Sequence, residues 1–364
     1  MQRLTGRRAA LAVGLAGAAL TTMGASRCGT TSGSTVTVSG STLTIYASAP
    51  SSSAGPASTD VLDAERLALN KLGLSVGKFT IRFVQLHRKA SDNARTAIQD
   101  KSAIAYIGEL EPGTSAGTLG ITNAQDLLQV SPTDNALELT QSTPAVPGAP
   151  GNYYEAKGTY GQTFARVVPS SAAEAKAQVK LMQSLHVSRL YVANDGSDYG
   201  KAIAYAVKQD APSSGITIAQ AISGADAMFF GGLRPASFPA PPVKLFVPSA
   251  LASAALPSGT YVSQPGLRAH NSTTTQFDKQ FEAQYGHVPA TEAIFGYEAM
   301  AAVLAVIKEA GTDATNRTTV VHDFLALNNR ASVLGTYSID SNGDTSIAPF
   351  VVSRVRNGVL VPFR

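Results

Sequence analysis

The run Gly113-Thr114-Ser115-Ala116-Gly117 matches G-x-S-x-G, the sharp turn that presents a nucleophilic serine in α/β-hydrolases. A hydrolase needs that turn directly after a strand, yet five residues, Gly108 to Pro112, separate it from the apolar run ending at Ile107. A triad also needs a late histidine, and the last one, His322, lies inside the helical run TTVVHDFLAL. The other histidines, 87, 186, 270 and 287, lack ligand spacing, so no metal site is expected. Asp340, Asn342 and Asp344 resemble the opening of a calcium loop without its closing glutamate, and a hairpin explains them better. No dinucleotide fingerprint or P-loop follows any strand. The sequence therefore predicts neither an enzyme nor a cofactor.

The same GTSAG run belongs to a pattern that occurs twice. AIAYIGELEPGTSAG (103–117) and RLYVANDGSDYGKAIAYAV (189–207) each carry a short apolar run, a break into small polar residues, and a helical stretch. In a parallel α/β sheet such breaks sit at the carboxyl ends of strands, where ligands bind and helix N-termini offer free N–H groups. Two such units facing each other make a two-lobed binder of small molecules.

The elements that must position these loops alternate. Strands are expected at 42–47, 79–85, 103–107 and 127–130, with helices at 59–72, 91–100 and 115–125 between them. A Pro/Gly/Tyr loop from Ser142 to Thr159 interrupts the pattern, which resumes at Phe164 to Val167 with helix 171–185, strand 188–193 and helix 197–209. Short apolar runs follow at Ala225 to Phe230, Lys244 to Val247 and Thr260 to Val262, then helical stretches at Thr274 to Gln284 and Thr291 to Ala310. Tyr297 and Glu298 in the last of these are expected to pack or sit at a rim. In the tail, Asn342-Gly343 and Asn357-Gly358 mark two hairpins.

A chain of 364 residues suits two domains. Four of its 29 basic residues lie in the first 28 positions, which hold no acid, so the remaining 25 balance the 25 acidic residues. A neutral body gives no electrostatic case for nucleic acid. Residues 1–28 read as a signal peptide: Arg3, Arg7 and Arg8, an apolar stretch from Ala9 to Leu20 too short to span a bilayer, then Cys28. The lone Cys28 resembles the lipidated cysteine of bacterial lipoproteins, although Arg27 stands where a small residue is usual. The alternative is cleavage near Ser26 and a free thiol. Residues 29–41 contain only Gly, Ser, Thr and Val and are expected to form a flexible tether. Arg7-Arg8 lacks the flanks of a twin-arginine signal, and the two N-x-S/T matches at Asn271 and Asn316 carry little weight beside a bacterial-style leader.

The stretches TIYASAP, YIGELEPGTSAG, LLQVSPTDNALELT, FARVVPSSAAEA, LYVANDGSDYGKA, DAMFFGG, FGYEAMAAVLA and GTYSIDSNGD run in an order that covers most of residues 42–345. In that order they resemble the type I periplasmic binding proteins of the branched-chain amino acid (Leu/Ile/Val-binding) family, the substrate-binding components of ABC importers. The resemblance implies two Rossmann-like lobes joined by three crossovers, with lobe one at 42–163 plus 268–340 and lobe two at 164–267 plus 341–364. It implies a small polar solute, an amino acid or amide, gripped by both lobes and passed to a membrane permease by a monomer. The residues it designates are Thr114, Ser115, Thr133 and Asn135 for a carboxylate and Tyr199 for a covering ring. Ser249 stands where the family has an acid for the ligand ammonium, and SSSAG, with Ala54, stands where it has an aromatic ring. A serine cannot neutralise a buried ammonium. Asp195 and Asp198 are expected to act as turn or cap residues.

Lobe two is also expected to be trimmed. Five residues separate ITIAQ (216–220) from DAMFFGG (226–232), and the next gap, LRPASFPAPP, is too proline-rich for a helix. The competing reading is a sensor or protein-interaction module with a degenerate cleft.

Overall fold

The computed structural model describes residues 35–50, 55–234, 243–253, 255–267 and 272–363. The first sheet is built from β1 (Thr42–Ser48), α1 (Pro56–Leu72), β2 (Ser75–Val76), β3 (Phe79–Leu86), α2 (Ala90–Gln99), β4 (Ala103–Ile107), α3 (Ala116–Asn123), β5 (Leu128–Ser131), the short α4 (Lys157–Tyr160) and β6 (Phe164–Arg166). Its order is β2-β3-β1-β4-β5-β6, parallel except for the β2–β3 pair. β4, AIAYI, is buried along its whole length, as an interior parallel strand must be.

The second sheet follows: α5 (Ser171–Ser184), β7 (Arg189–Asn194), α6 (Asp198–Asp210), β8 (Thr217–Ile218), β9 (Ala227–Gly231), β10 (Lys244–Val247) and β11 (Tyr261–Pro265). The chain then returns to the first lobe for α7 (Ser272–Tyr285), α8 (Ala293–Ala310), α9 (Arg317–Leu325) and the hairpin of β12 (Arg330–Ser332) and β13 (Gly335–Tyr337). It crosses once more to add β14 (Phe350–Arg356) and β15 (Val359–Pro362), giving the order β15-β14-β11-β10-β9-β7-β8 with an antiparallel edge. Two α/β lobes joined by three crossovers match the expected fold class.

α1 and α8 cover one face of the first sheet and α2 and α3 the other. α8 is buried on nearly every side because α1 crosses it closely. Gly296 permits the crossing, since a Cβ there would lie 2.3 Å from the Val61 carbonyl oxygen. In the second lobe α5 and α6 cover one face. The opposite face, with Met228, Phe230, Leu245 and Val262, packs with Ile222 and Leu251 of two 3-10 turns and with Leu256. Between β8 and β9 a single 3-10 turn, Ile222–Gly224, stands where a crossover helix is usual, as the first short gap predicts.

Two lobe boundaries shift. β6 pairs with β5 in the first sheet, so the first crossing falls after Arg166 and not before Phe164. The third falls beyond Asp344, not at 341, because the Gly343 carbonyl accepts from Arg166 N–H and the Asp344 carboxylate pairs with the Arg166 guanidinium at 2.6 Å. The expected tether is docked at its end: Thr37 bridges to Asn316, and Val38 is buried and donates to the Thr315 carbonyl. Asn357-Gly358 does turn the β14–β15 hairpin, whereas Asn342-Gly343 closes a tight loop held by Asp340 with a single flanking bridge. The signal peptide with Cys28, the tether up to Ser34, Ala54 and most of the proline-rich gap lie outside the described residues. No helix among the described residues is long and apolar enough to cross a membrane.

Candidate functional site

The carboxyl ends of β4 and β5 in lobe one and of β10 and β11 in lobe two meet between the lobes, as parallel sheets with crossover helices require. The loop after β4 leads through Ser115 into α3, and the loop after β5 carries Pro132 to Asn135. From lobe two, the turn after β10 supplies Ser249, the first turns of α5 and α6 supply Glu174 and Tyr199, and β11 supplies Ser263.

The amides expected to receive a solute carboxylate are taken by the protein's own Asp134. Gly113 and Ser115 donate their backbone N–H groups to its two oxygens at 2.7 and 2.9 Å, and Ala136 N–H adds a third bond at 3.2 Å. The Ser115 hydroxyl accepts from Glu109 N–H at 3.2 Å and is fully buried. This is an anion seat with an internal anion in it. Burial pushes the Asp134 carboxyl above its usual range while those three amides pull against the rise.

A second internal carboxylate gathers the other designated residues. Glu174, fully buried, accepts from Asn135 Nδ2 at 2.8 Å, Ser249 N–H at 2.7 Å, Ser249 Oγ at 3.1 Å and Ser263 Oγ at 2.5 Å, with Tyr199 Oη at 3.5 Å. The Asn135 bond spans the lobes. Burial raises the Glu174 carboxyl against these donors. The structure thus brings Asn135, Tyr199 and Ser249 together, around a side chain. Thr133 makes no hydrogen bond to this group: it is half-buried, with its hydroxyl donating to the Leu110 carbonyl at 2.6 Å, and Thr114 lies half-buried in the turn that ends at α3.

Beside these groups a cavity of about 160 Å³ opens between the lobes. Lobe one lines it with Ala57, Ser58, Val61, Leu110, Glu111, Pro112, Thr133 and Glu292, and lobe two with Ser249 and Ala250, with Pro265 at the crossover. Ligand pockets usually run from about 300 Å³ upward. This one is closer to the roughly 150 Å³ engineered cavity that holds a benzene. Glu292 stands at the N-terminal boundary of α8 without a side-chain capping bond, and burial raises its carboxyl while Gln264 Nε2, 3.4 Å away, opposes the rise.

Sequence reasoning missed Asp134, Glu174 and Glu292. Asp134 lies between two designated residues, and its signal was the short acid within SPTDN next to a loop rich in free amides. Glu174 sits in SAAEA at the start of a helix, and nothing local tells a buried acid from a solvated one. Glu292 directly precedes an apolar helix and reads as a cap. Asp195 does serve its turn, accepting from Ser197, Leu233 and Arg234 N–H groups, and Ser197 caps α6. Glu298 is held by Arg330 at 2.6 Å and Tyr337 at 2.8 Å, a packing role. No metal-binding cluster occurs among the described residues.

No protein-family model matches the chain, and no curated protein matches it by sequence. Solved structures do match. An ABC transporter substrate-binding protein from Desulfitobacterium hafniense aligns with a TM-score of 0.71 at 18% identity, over 88% of this chain and 100% of that one. A leucine-binding protein LivK from Thermotoga maritima aligns at 0.68 and 19%, over 88% and 98%. A solute-binding protein of an ABC transporter from R. palustris, solved with benzoate, aligns at 0.67 and 18%, over 88% and 95%. The chain therefore has the type I periplasmic binding protein fold of the branched-chain amino acid substrate-binding proteins.

Proposed function

We propose that the protein is the extracytoplasmic solute-binding component of an ABC importer, capturing a small polar solute between its lobes and delivering it to a membrane permease. The cavity carries the reading, because both lobes line it and a molecule inside would bias their closure. The fold supports it: proteins of this fold include one solved with leucine and one with benzoate. The leader and Cys28 fit export and a lipid tether, and Thr114, Ser115, Thr133, Asn135, Tyr199 and Ser249 serve as the frame of the site. Native mass spectrometry of the purified protein tests the reading: one small adduct, lost on mild denaturation, supports it.

A second reading, a sensor or protein-interaction module with a degenerate cleft, draws on one observation. Asn135, Tyr199 and Ser249 spend their hydrogen bonds on Glu174. A protein free of adduct that no solute stabilises would favour it.

A further inference from the structure

We infer that the cleft selects a small primary amine that carries no carboxylate, its ammonium seated on Glu292, Thr133 and Ser249. The inference rests on the solute-binding reading and narrows it to a chemical class.

Two observations remove acids from the range. The amides of Gly113, Ser115 and Ala136 that would hold a carboxylate already hold Asp134, and the donors of the facing lobe already hold Glu174. An incoming carboxylate finds no empty seat. The cavity wall also carries two carboxylates, Glu111 and Glu292, and no lysine, arginine or histidine. An anion entering it would be desolvated beside like charge.

The remaining polar groups offer lone pairs. The Thr133 hydroxyl gives its proton to the Leu110 carbonyl and keeps its lone pairs, and the Ser249 hydroxyl gives its proton to Glu174 and accepts from Asn135 Nδ2 at 3.2 Å, which leaves it one lone pair. Glu292, when ionised, only accepts. An ammonium has three donors and no acceptor, which complements three such groups. Ala57, Val61, Leu110, Ala250 and Pro265 then leave room for a short apolar stem. About 160 Å³ suits a ligand near the size of benzene.

Calorimetric titration of the purified protein at pH 7.5 with two matched sets tests this. The first set is leucine, isoamylamine (leucine without its carboxylate) and isocaproate (leucine without its amine). The second is phenylglycine, benzylamine and phenylacetate. Binding of an amine at least tenfold tighter than of its amino acid and acid partners supports the inference, as does a loss of about tenfold or more in Glu292→Gln with an unchanged unliganded melting temperature. Glu292→Asp, which keeps the charge, should retain part of the affinity. Amino acids or acids binding as tightly as the amines would overturn the inference and leave solute capture standing. Titrations flat for all six compounds, with amides and sugars flat too, would overturn both.

Discussion

Asp134 accepts three backbone amides and Glu174 accepts from three further residues and a tyrosine hydroxyl, so each side chain uses up a converging set of donors. Removing Glu174 strands buried donors from both lobes. Glu174→Ala should therefore lower the unfolding free energy by about 2–4 kcal/mol, read as a reduced urea midpoint, with Glu174→Gln costing less because it keeps acceptor capacity. Two other buried acids add to the pH dependence in the same direction as Asp134 and Glu174. Burial pushes Glu109 up to about 7, with Asp134 adding to the rise while Tyr106 and Ser48 oppose it. Burial likewise pushes Glu138 up to about 7, with Asp134 and Asp198 adding and Arg166 opposing. Between the ordinary 4.5 and about 7 the folded protein holds protons that the unfolded chain has released, so stability falls as pH rises through that window and levels off above it. Half-buried acids with lowered values, such as Asp100 and Asp226, titrate below it. Urea midpoints should be higher at pH 5.5 than at 7.5, and Glu138→Gln should flatten the difference. A midpoint that rises with pH would contradict this.

At the scale of elements, one close approach packs the helices of the first lobe and one ion pair ties two of its crossovers together. Gly296→Ala pushes a methyl into the Val61 carbonyl and should cost about 1–3 kcal/mol by separating α1 from α8. Arg166→Met leaves Asp344 buried without its cation and should cost roughly 3–5 kcal/mol, more than Arg166→Met combined with Asp344→Leu. The alternation of β1 to α3 was legible because each apolar run is either as short as a strand or long enough for a helix. Asn357-Gly358 was legible because the turn and both flanking strands are local. Asn342-Gly343 misled because its neighbours are fixed by Arg166, some 180 positions away, and not by strand pairing. β6 was assigned to the wrong lobe for a similar reason: a three-residue strand contains nothing that names the sheet it joins. At the site, Thr133, Asn135, Tyr199 and Ser249 were placed at the cleft by resemblance, yet the carboxylates that occupy it could not be told from capping or surface acids before their burial was known.

At the scale of the whole molecule the lobes meet along a seam. Leu137, Val146 and Ala149 of lobe one pack on Ala202 of α6, and the Asn135–Glu174 bond crosses beside them. Asn135→Asp would set a second carboxylate against Glu174, and like charges at that separation repel strongly in a buried setting. X-ray scattering should then give a larger radius of gyration for the variant than for the parent at pH 8, shrinking toward the parent at pH 5. An unchanged radius would mean the seam is held without this bond. Anchoring belongs to this scale as well. If Cys28 carries a lipid, metabolic labelling with a fatty acid should mark the protein in cells and fail for Cys28→Ser.

The most direct test of solute capture is a thermal-unfolding screen of the purified protein against amines, amides, amino acids and small carboxylic acids, run beside Ala250→Phe, which fills the cavity. A ligand at about 100 times its dissociation constant adds roughly 2.7 kcal/mol, a rise of several degrees. At least one compound should give such a rise in the parent and none in Ala250→Phe. A screen without any rise, or a rise that persists with the cavity filled, would contradict solute capture.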